Sequence, residues 1–201
     1  MKLYDLDLSG NCYKIRLFLS LIGQECEIVP VDFLGGAHRQ PPLSAMNPFL
    51  EIPILVDGEL TLRDSQAILV YLARKYGGEG WLPTEPGALA QVMEWLMAAE
   101  NEIARGPNDA RLHVKFGVPL DHELALVRTS RILDLLEARL ARRDWLALGH
   151  PTIADIACFP YVALSEDAGL PREECPAVRR WIDRFKRIEG FRVMSGVFPA
   201  R

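Results

Sequence analysis

The sequence predicts two units: an α+β half in the order βαβ-ββα over residues 1–78, then an all-α half over 88–201, with a linker at 79–87. Three observations predict this. The chain opens on an apolar-rich run from Leu3 to Leu8, a polar break at Ser9-Gly10-Asn11, and a helical stripe of Ile15, Phe18, Leu19 and Ile22. Asp57-Gly58-Glu59 then separates two β-rich runs, Ile52 to Val56 and Leu60 to Leu62, a hairpin signal. Beyond Leu82-Pro83-Thr84-Glu85-Pro86-Gly87 the strand signal disappears.

The remaining elements follow in order. Glu27 to Asp32 reads as a second strand, and Pro30 places it at an edge or bulge. Gly35 to Pro42 is a loop by composition. Asp64-Ser65 starts a helix carrying Ala67, Ile68, Tyr71 and Leu72, which stops at Gly77-Gly78. Ala88 to Arg105 is helical, with Val92, Leu96 and Ala99 on one face, and Arg105-Gly106-Pro107-Asn108 is expected to break it. Leu120 to Arg143 continues in helix formers around Leu133, Leu136 and Leu140. Thr152-Ile153-Ala154-Asp155 resembles a capping box with Asp in place of Glu or Gln. A last helix buries Val178, Trp181, Ile182 and Phe185, and Trp95 and Trp181 read as core.

Composition excludes several classes of function. With 23 basic and 27 acidic residues the net charge is −4, so there is no electrostatic footprint for nucleic acid. Charges interrupt every apolar stretch well short of the ~20 residues of a membrane span. No basic and apolar leader opens the chain, so no secretory signal is expected. Cys12, Cys26, Cys158 and Cys175 form no C-x-x-C pair and no zinc-type spacing, so no metal is expected. Scattered single thiols suit a reducing, cytoplasmic setting.

The opening strand, turn and helix is also where chemistry is expected. Main-chain N–H groups and the positive end of a helix dipole converge there on one spot, which attracts an anion such as a thiolate. From spacing alone Ser9 also reads as a turn or N-cap residue. Asn11 likewise reads as a residue that tolerates a left-handed turn, and Cys12 as a small buried side chain.

Four stretches, in order and over essentially the whole chain, resemble glutathione transferases. They are Leu8-Ser9-Gly10-Asn11-Cys12, similar to the catalytic turn of serine-type and related bacterial classes, and Asn47-Pro48-Phe49-Leu50-Glu51-Ile52-Pro53-Ile54-Leu55, similar to N-P-x-G-x-V-P-x-L. Leu62-Arg63-Asp64-Ser65-Gln66-Ala67-Ile68 resembles L-x-E-S-x-A-I, and Pro151-Thr152-Ile153-Ala154-Asp155-Ile156 resembles the S/T-x-A-D capping element. Leu50 stands where a glycine is usual, and Asp64 replaces the commoner glutamate.

The resemblance implies a thioredoxin-like glutathione-binding domain followed by a helical domain. It implies that the Ser9 hydroxyl donates to the sulfur of glutathione, the co-substrate, with Asn11 as a second sulfur contact similar to that of a disulfide-reducing bacterial class. Ile52-Pro53 is then the cis-proline element that meets the cysteinyl backbone, with Glu51 beside it. Asp64 and Ser65 meet the γ-glutamyl end, and His38 the glycine carboxylate. The electrophile pocket lies between the domains, and Asn101, Arg105, Asn108 and Arg111 are its candidates. For Arg105 and Arg111 a solvated or ion-paired surface position is the alternative. The implied activity is conjugation of glutathione to small hydrophobic electrophiles by a homodimer. Two other readings stay open: a glutathione-dependent disulfide reductase or peroxidase, and a non-catalytic ligand or interaction protein.

Overall fold

The computed structural model describes residues 1–169 and 174–194; residues 195–201 of the expected helical half lie outside these. Its first half is a four-stranded sheet in the order β2-β1-β3-β4, from β1 (Lys2–Asp5), β2 (Glu27–Pro30), β3 (Ile54–Asp57) and β4 (Leu60–Arg63). β1 pairs parallel with β2 and antiparallel with β3, so Leu3 lies opposite both Ile28 and Leu55. β2 is an edge strand, which is where Pro30, lacking an N–H, is tolerated. β3 and β4 form the expected hairpin, with Gly58 at φ 62°.

Alternation along the strands gives each sheet face its own partners. Leu3 and Leu55 point to α1 (Gly10–Leu21) and α3 (Ser65–Leu72), where Tyr13, Leu17, Phe18, Ile68 and Leu69 are buried. Tyr4 and Ile54 point to the other face, against Leu43 of the short α2 (Leu43–Met46). Tyr4 is thus a packing residue. Full burial of one such apolar side chain stabilises the fold by ~1.5–3 kcal/mol.

The second half is helical. α4 starts at Pro86, inside the expected linker, because the Glu85 carboxylate caps it by accepting from the N–H groups of Gly87 and Ala88. The expected break at Arg105 to Asn108 does not occur. Helix runs without interruption through α4 (Pro86–Ala98), a π-helical segment (Ala99–Asn108) and α5 (Asp109–Phe116). The wider π turn accommodates Pro107, and Gly106 lets the segment meet α6 (His122–Leu140) closely; a Cβ there would lie 3.1 Å from the Thr129 nitrogen.

α7 (Ile153–Ala163) is buried along its whole length and packs on both α1 and α3, tying the halves together. Its capping box is complete. Thr152 Oγ1 accepts from Ala154 N–H and Asp155 Oδ2 accepts from Thr152 N–H, while Asp155 Oδ1 also accepts from Leu146 N–H and from the Trp181 indole of α8 (Pro176–Phe185). Among the described residues no helix is long and apolar enough to cross a membrane.

Candidate functional site

A cleft of about 430 Å³ lies between the two halves, lined on one side by Ser9, Asn11, Glu51, Ile52, Pro53, Asp64 and Ser65. On the helical side Arg105, Asn108 and Arg111 line it, with Glu100 and Tyr161. A larger hollow, about 720 Å³, opens at the end of α1 beside β2 and holds none of the predicted site residues.

Ser9 is the N-cap of α1. Its Oγ accepts from Cys12 N–H at 3.3 Å, which leaves the hydroxyl's own proton to donate. The N-cap reading of Ser9 therefore holds, and it is compatible with donation by the hydroxyl. Cys12 is fully buried, and desolvation pushes its thiol up to about 12, so it stays protonated and packs as core. Asn11 donates its backbone N–H to the Tyr161 hydroxyl at 3.1 Å, and its Oδ1 accepts from Lys14 Nζ at 2.9 Å. A Cβ on Gly10 would lie 2.6 Å from Tyr161 Cε1, so only glycine lets the ring approach the turn this closely.

The Ile52-Pro53 bond is cis, as expected, and faces the cleft beside Glu51. The peptide just before it is held by Asn47, whose Nδ2 donates to the Glu51 carbonyl at 2.8 Å. Leu50 sits at φ 58°, a left-handed conformation, which explains why glycine is usual there.

At the start of α3, Asp64 Oδ1 accepts from the N–H groups of Gln66 and Ala67, both at 2.9 Å. Asp64 therefore caps α3 and holds two of its first N–H groups. The Ser65 hydroxyl remains, with Lys14 Nζ 3.5 Å behind it. Glu100 completes this end, accepting from Gln66 Nε2 at 2.9 Å. This end of the cleft thus carries two carboxylates, Asp64 and Glu100, and the Ser65 hydroxyl.

Two expectations need correction, those on Asn101 and His38. Asn101 does not reach the cleft; it lines a separate hollow with Trp95, Met97, Ile132 and Leu135, because neighbouring helical residues face different directions and Glu100 takes the inward one. His38 is neither in the cleft wall nor exposed. It is buried with its ring stacked 3.8 Å from that of Phe33, which does line the cleft, and burial and then Arg39 lower its pKa. Arg111 is 2% exposed in its side chain, with Nε donating to Asp167 Oδ2 and Nη2 to the Leu8 carbonyl, each at 3.2 Å. It ties α5 to the candidate catalytic turn and also lines the cleft. Arg105, 63% exposed and 4.0 Å from Asp109, is the surface ion pair that the alternative reading described, although it lines the cleft rim.

Sequence reasoning missed Lys14, Glu100 and the site role of Tyr161. Lys14 carried a signal: it adjoins Ile15 and precedes Phe18 by one turn, on the apolar face of α1. Glu100 and Tyr161 carried none, since their place at the site depends on packing between the halves. Among the described residues no group of three or more His, Cys, Asp or Glu side chains is placed to hold a metal ion.

Comparison with known proteins bears on both halves. Residues 3–80 match the glutathione S-transferase N-terminal domain family and residues 86–184 the corresponding C-terminal domain family. The chain is similar to glutathione S-transferase 3 of Zea mays, 37% identical over 99% of this chain and 95% of the relative. It is 33% identical to glutathione S-transferase F13 of Arabidopsis thaliana over 100% of this chain and 97% of that one. A crystal structure of a glutathione S-transferase from Xanthobacter autotrophicus superposes with a TM-score of 0.88 at 30% identity, covering 96% of each chain.

Proposed function

The chain belongs to the glutathione S-transferase family, and we propose that it is a glutathione transferase that activates the thiol at Ser9 and adds it to small hydrophobic electrophiles. The observation that carries this reading is the Ser9 hydroxyl at the start of α1. It is oriented by the Cys12 N–H, has a proton of its own to donate, and lines a cleft that also contains cis-Pro53 and Ser65.

The energetics fit a modest role for the turn. A free thiol with a pKa of ~8.5 is only ~3% ionised at pH 7. Lowering it by ~2 units needs about 2.7 kcal/mol, within reach of one or two charge-assisted hydrogen bonds at roughly 1.5–3 kcal/mol each. Much of that gain is returned, because nucleophilicity falls with pKa at a Brønsted slope of ~0.45. Most of the acceleration therefore comes from holding the electrophile beside the sulfur. Phe33, Leu34, Leu112, Phe116 and Val118 give the adjoining wall an apolar character that suits such an electrophile.

A second reading, reduction of a mixed disulfide or hydroperoxide, draws on Asn11, which lines the cleft with Ser9. We further place the protein in the cytoplasm, with a detoxifying role, as a homodimer. Phe49, 60% exposed, and the apolar hollow of Trp95, Met97, Ile132 and Leu135 are the surfaces that a second copy would cover.

Conjugation of an aryl halide, measured in wild type, Ser9→Ala and Asn11→Ala, tests these readings. The first expects kcat/KM to fall ~10- to 100-fold in Ser9→Ala, the loss of one charge-assisted hydrogen bond. Unchanged activity in Ser9→Ala refutes it. Turnover of a mixed disulfide that suffers more from Asn11→Ala supports the second. No turnover of either substrate by wild type leaves a non-catalytic binding protein.

A further inference from the structure

We propose that Lys14 is a positioning residue for the thiolate: its buried ammonium holds the side-chain oxygen of Asn11 and thereby turns the Asn11 amide NH2 toward the sulfur. The inference rests on the reading that the cleft holds glutathione.

Lys14 lies one turn beyond Asn11 on α1 and is 1% exposed. Lysine is almost never buried so fully without partners. Its hydrogen-bond partners here are neutral: Asn11 Oδ1 at 2.9 Å and Ser65 Oγ at 3.5 Å, with the Tyr161 ring centre 5.4 Å away. The titratable groups facing it are Glu100 from the π-helical segment, Asp64 at the start of α3, and Cys158 and Tyr161 from α7. Burial raises the pKa of both Cys158 and Tyr161, so these two are neutral. Burial also lowers Lys14, to about 8, against which the carboxylates of Glu100 and Asp64 act. That value lies above 7, so the ammonium is the major form at pH 7.

An ammonium group has three donors and no acceptor, so only the oxygen of the Asn11 amide can face it. The planar amide then directs Nδ2 away from Lys14. Asn11 lines the cleft beside Ser9, so Nδ2 and the Ser9 hydroxyl become two donors available to one anion, with a buried positive charge behind them. Neutral lysine has a lone pair and would let the amide turn over. The charge on Lys14 thus sets which face of Asn11 the sulfur meets. Through Ser65 the same ammonium also stands behind the expected γ-glutamyl carboxylate, so one buried charge serves both ends of the site.

The test is a pH titration of the thiolate absorbance of glutathione bound to the full chain, in wild type, Lys14→Met, Asn11→Ala and the double variant. Calorimetric binding of glutathione to wild type comes first; no binding overturns the glutathione reading and this one with it. With binding, we expect the thiol pKa to rise by roughly one unit in Lys14→Met. Asn11→Ala should produce a rise of its own, and the double variant less than the sum of the two. A lysine that only packs would lower the melting temperature and leave the thiol pKa where it was. An unchanged thiol pKa in folded, glutathione-binding Lys14→Met, or full additivity, overturns the role of Lys14 alone. If Lys14→Met does not fold, wild type suffices. Thiolate and ammonium stabilise each other reciprocally, so the side-chain carbon-13 signal of Lys14 should titrate at higher pH with glutathione than with S-methylglutathione. Equal midpoints overturn the proposal.

Discussion

The backbone N–H of Asn11 donates to the phenolic oxygen of Tyr161 at 3.1 Å, joining residues 150 positions apart in sequence. The candidate catalytic turn is therefore held by both halves of the molecule. The first half forms it as a helix start, and α7 of the second fixes it from behind. Changes in α7 should reach the sulfur site without touching a ligand.

Gly10→Ala tests that coupling. The new methyl group would lie 2.6 Å from Tyr161 Cε1, so the ring or the turn must move. We expect a stability loss of about 1–3 kcal/mol, as for overpacking in a core, together with weaker glutathione binding. Thermal melts and calorimetry check both. Wild-type stability would mean that Tyr161 swings aside freely.

Leu50→Gly should stabilise the protein slightly. A left-handed conformation costs a non-glycine residue roughly 1–2 kcal/mol, while glycine loses about 0.5–1 kcal/mol through its freer unfolded chain. Leu50, 36% exposed, gives up little packing. The net expectation is a gain of up to ~1 kcal/mol, read from urea midpoints.

Lys14 predicts a pH dependence of stability with a definite sign. Its folded pKa is about 8 and its ordinary value 10.5. Below pH 8 it is charged in both states and the desolvation cost is fully present. Between the two values the unfolded chain holds a proton that the folded chain has released, so stability rises with pH. Wild type should therefore gain on Lys14→Met by about 1–3 kcal/mol between pH 7 and pH 10. Denaturant midpoints of both proteins at the two pH values measure this, and a flat difference refutes the titration.

Phe49→Asp addresses assembly. The ring is exposed and covered on one face by the Arg63 guanidinium, 3.7 Å from its centre. If a second copy covers it, an aspartate there removes the apolar ring from the interface and puts a carboxylate beside Arg63 in its place. We expect light scattering to report a monomer for the variant and a dimer for wild type. A dimer of unchanged stability would place the interface elsewhere.

The parts of this structure that could be read from sequence are those specified locally. The Asp57-Gly58 hairpin and the Thr152–Asp155 capping box each depend on neighbours a few residues away, and both formed as expected. Ser9, Asn11, Ile52, Pro53, Asp64 and Ser65 share one cleft because short motifs marked them at turns and helix starts. The helical wall was harder. Asn101 and Glu100 are adjacent, and only the phase of the helix decides which one faces inward. His38 read as a loop residue because nothing in sequence announces its stacking on Phe33. Lys14 was visible as a charge on an apolar stripe, but its purpose depends on Asn11, Ser65 and Tyr161 meeting around it.

The uninterrupted passage of helix through Ala99–Asn108 has an evolutionary consequence. Each residue of an ordinary α-helix advances the chain by ~100° about its axis. A π-helical stretch absorbs an extra residue in a widened turn, so losing one there would tighten that turn to ordinary α-helix and leave the far end close to its present phase. Arg105 and Asn108, inside the segment, would then be re-aimed, while Leu112 beyond it and the turn at Ser9 stayed as they are. Relatives could exchange one electrophile preference for another by a single-codon deletion here, keeping the chemistry and turning the wall.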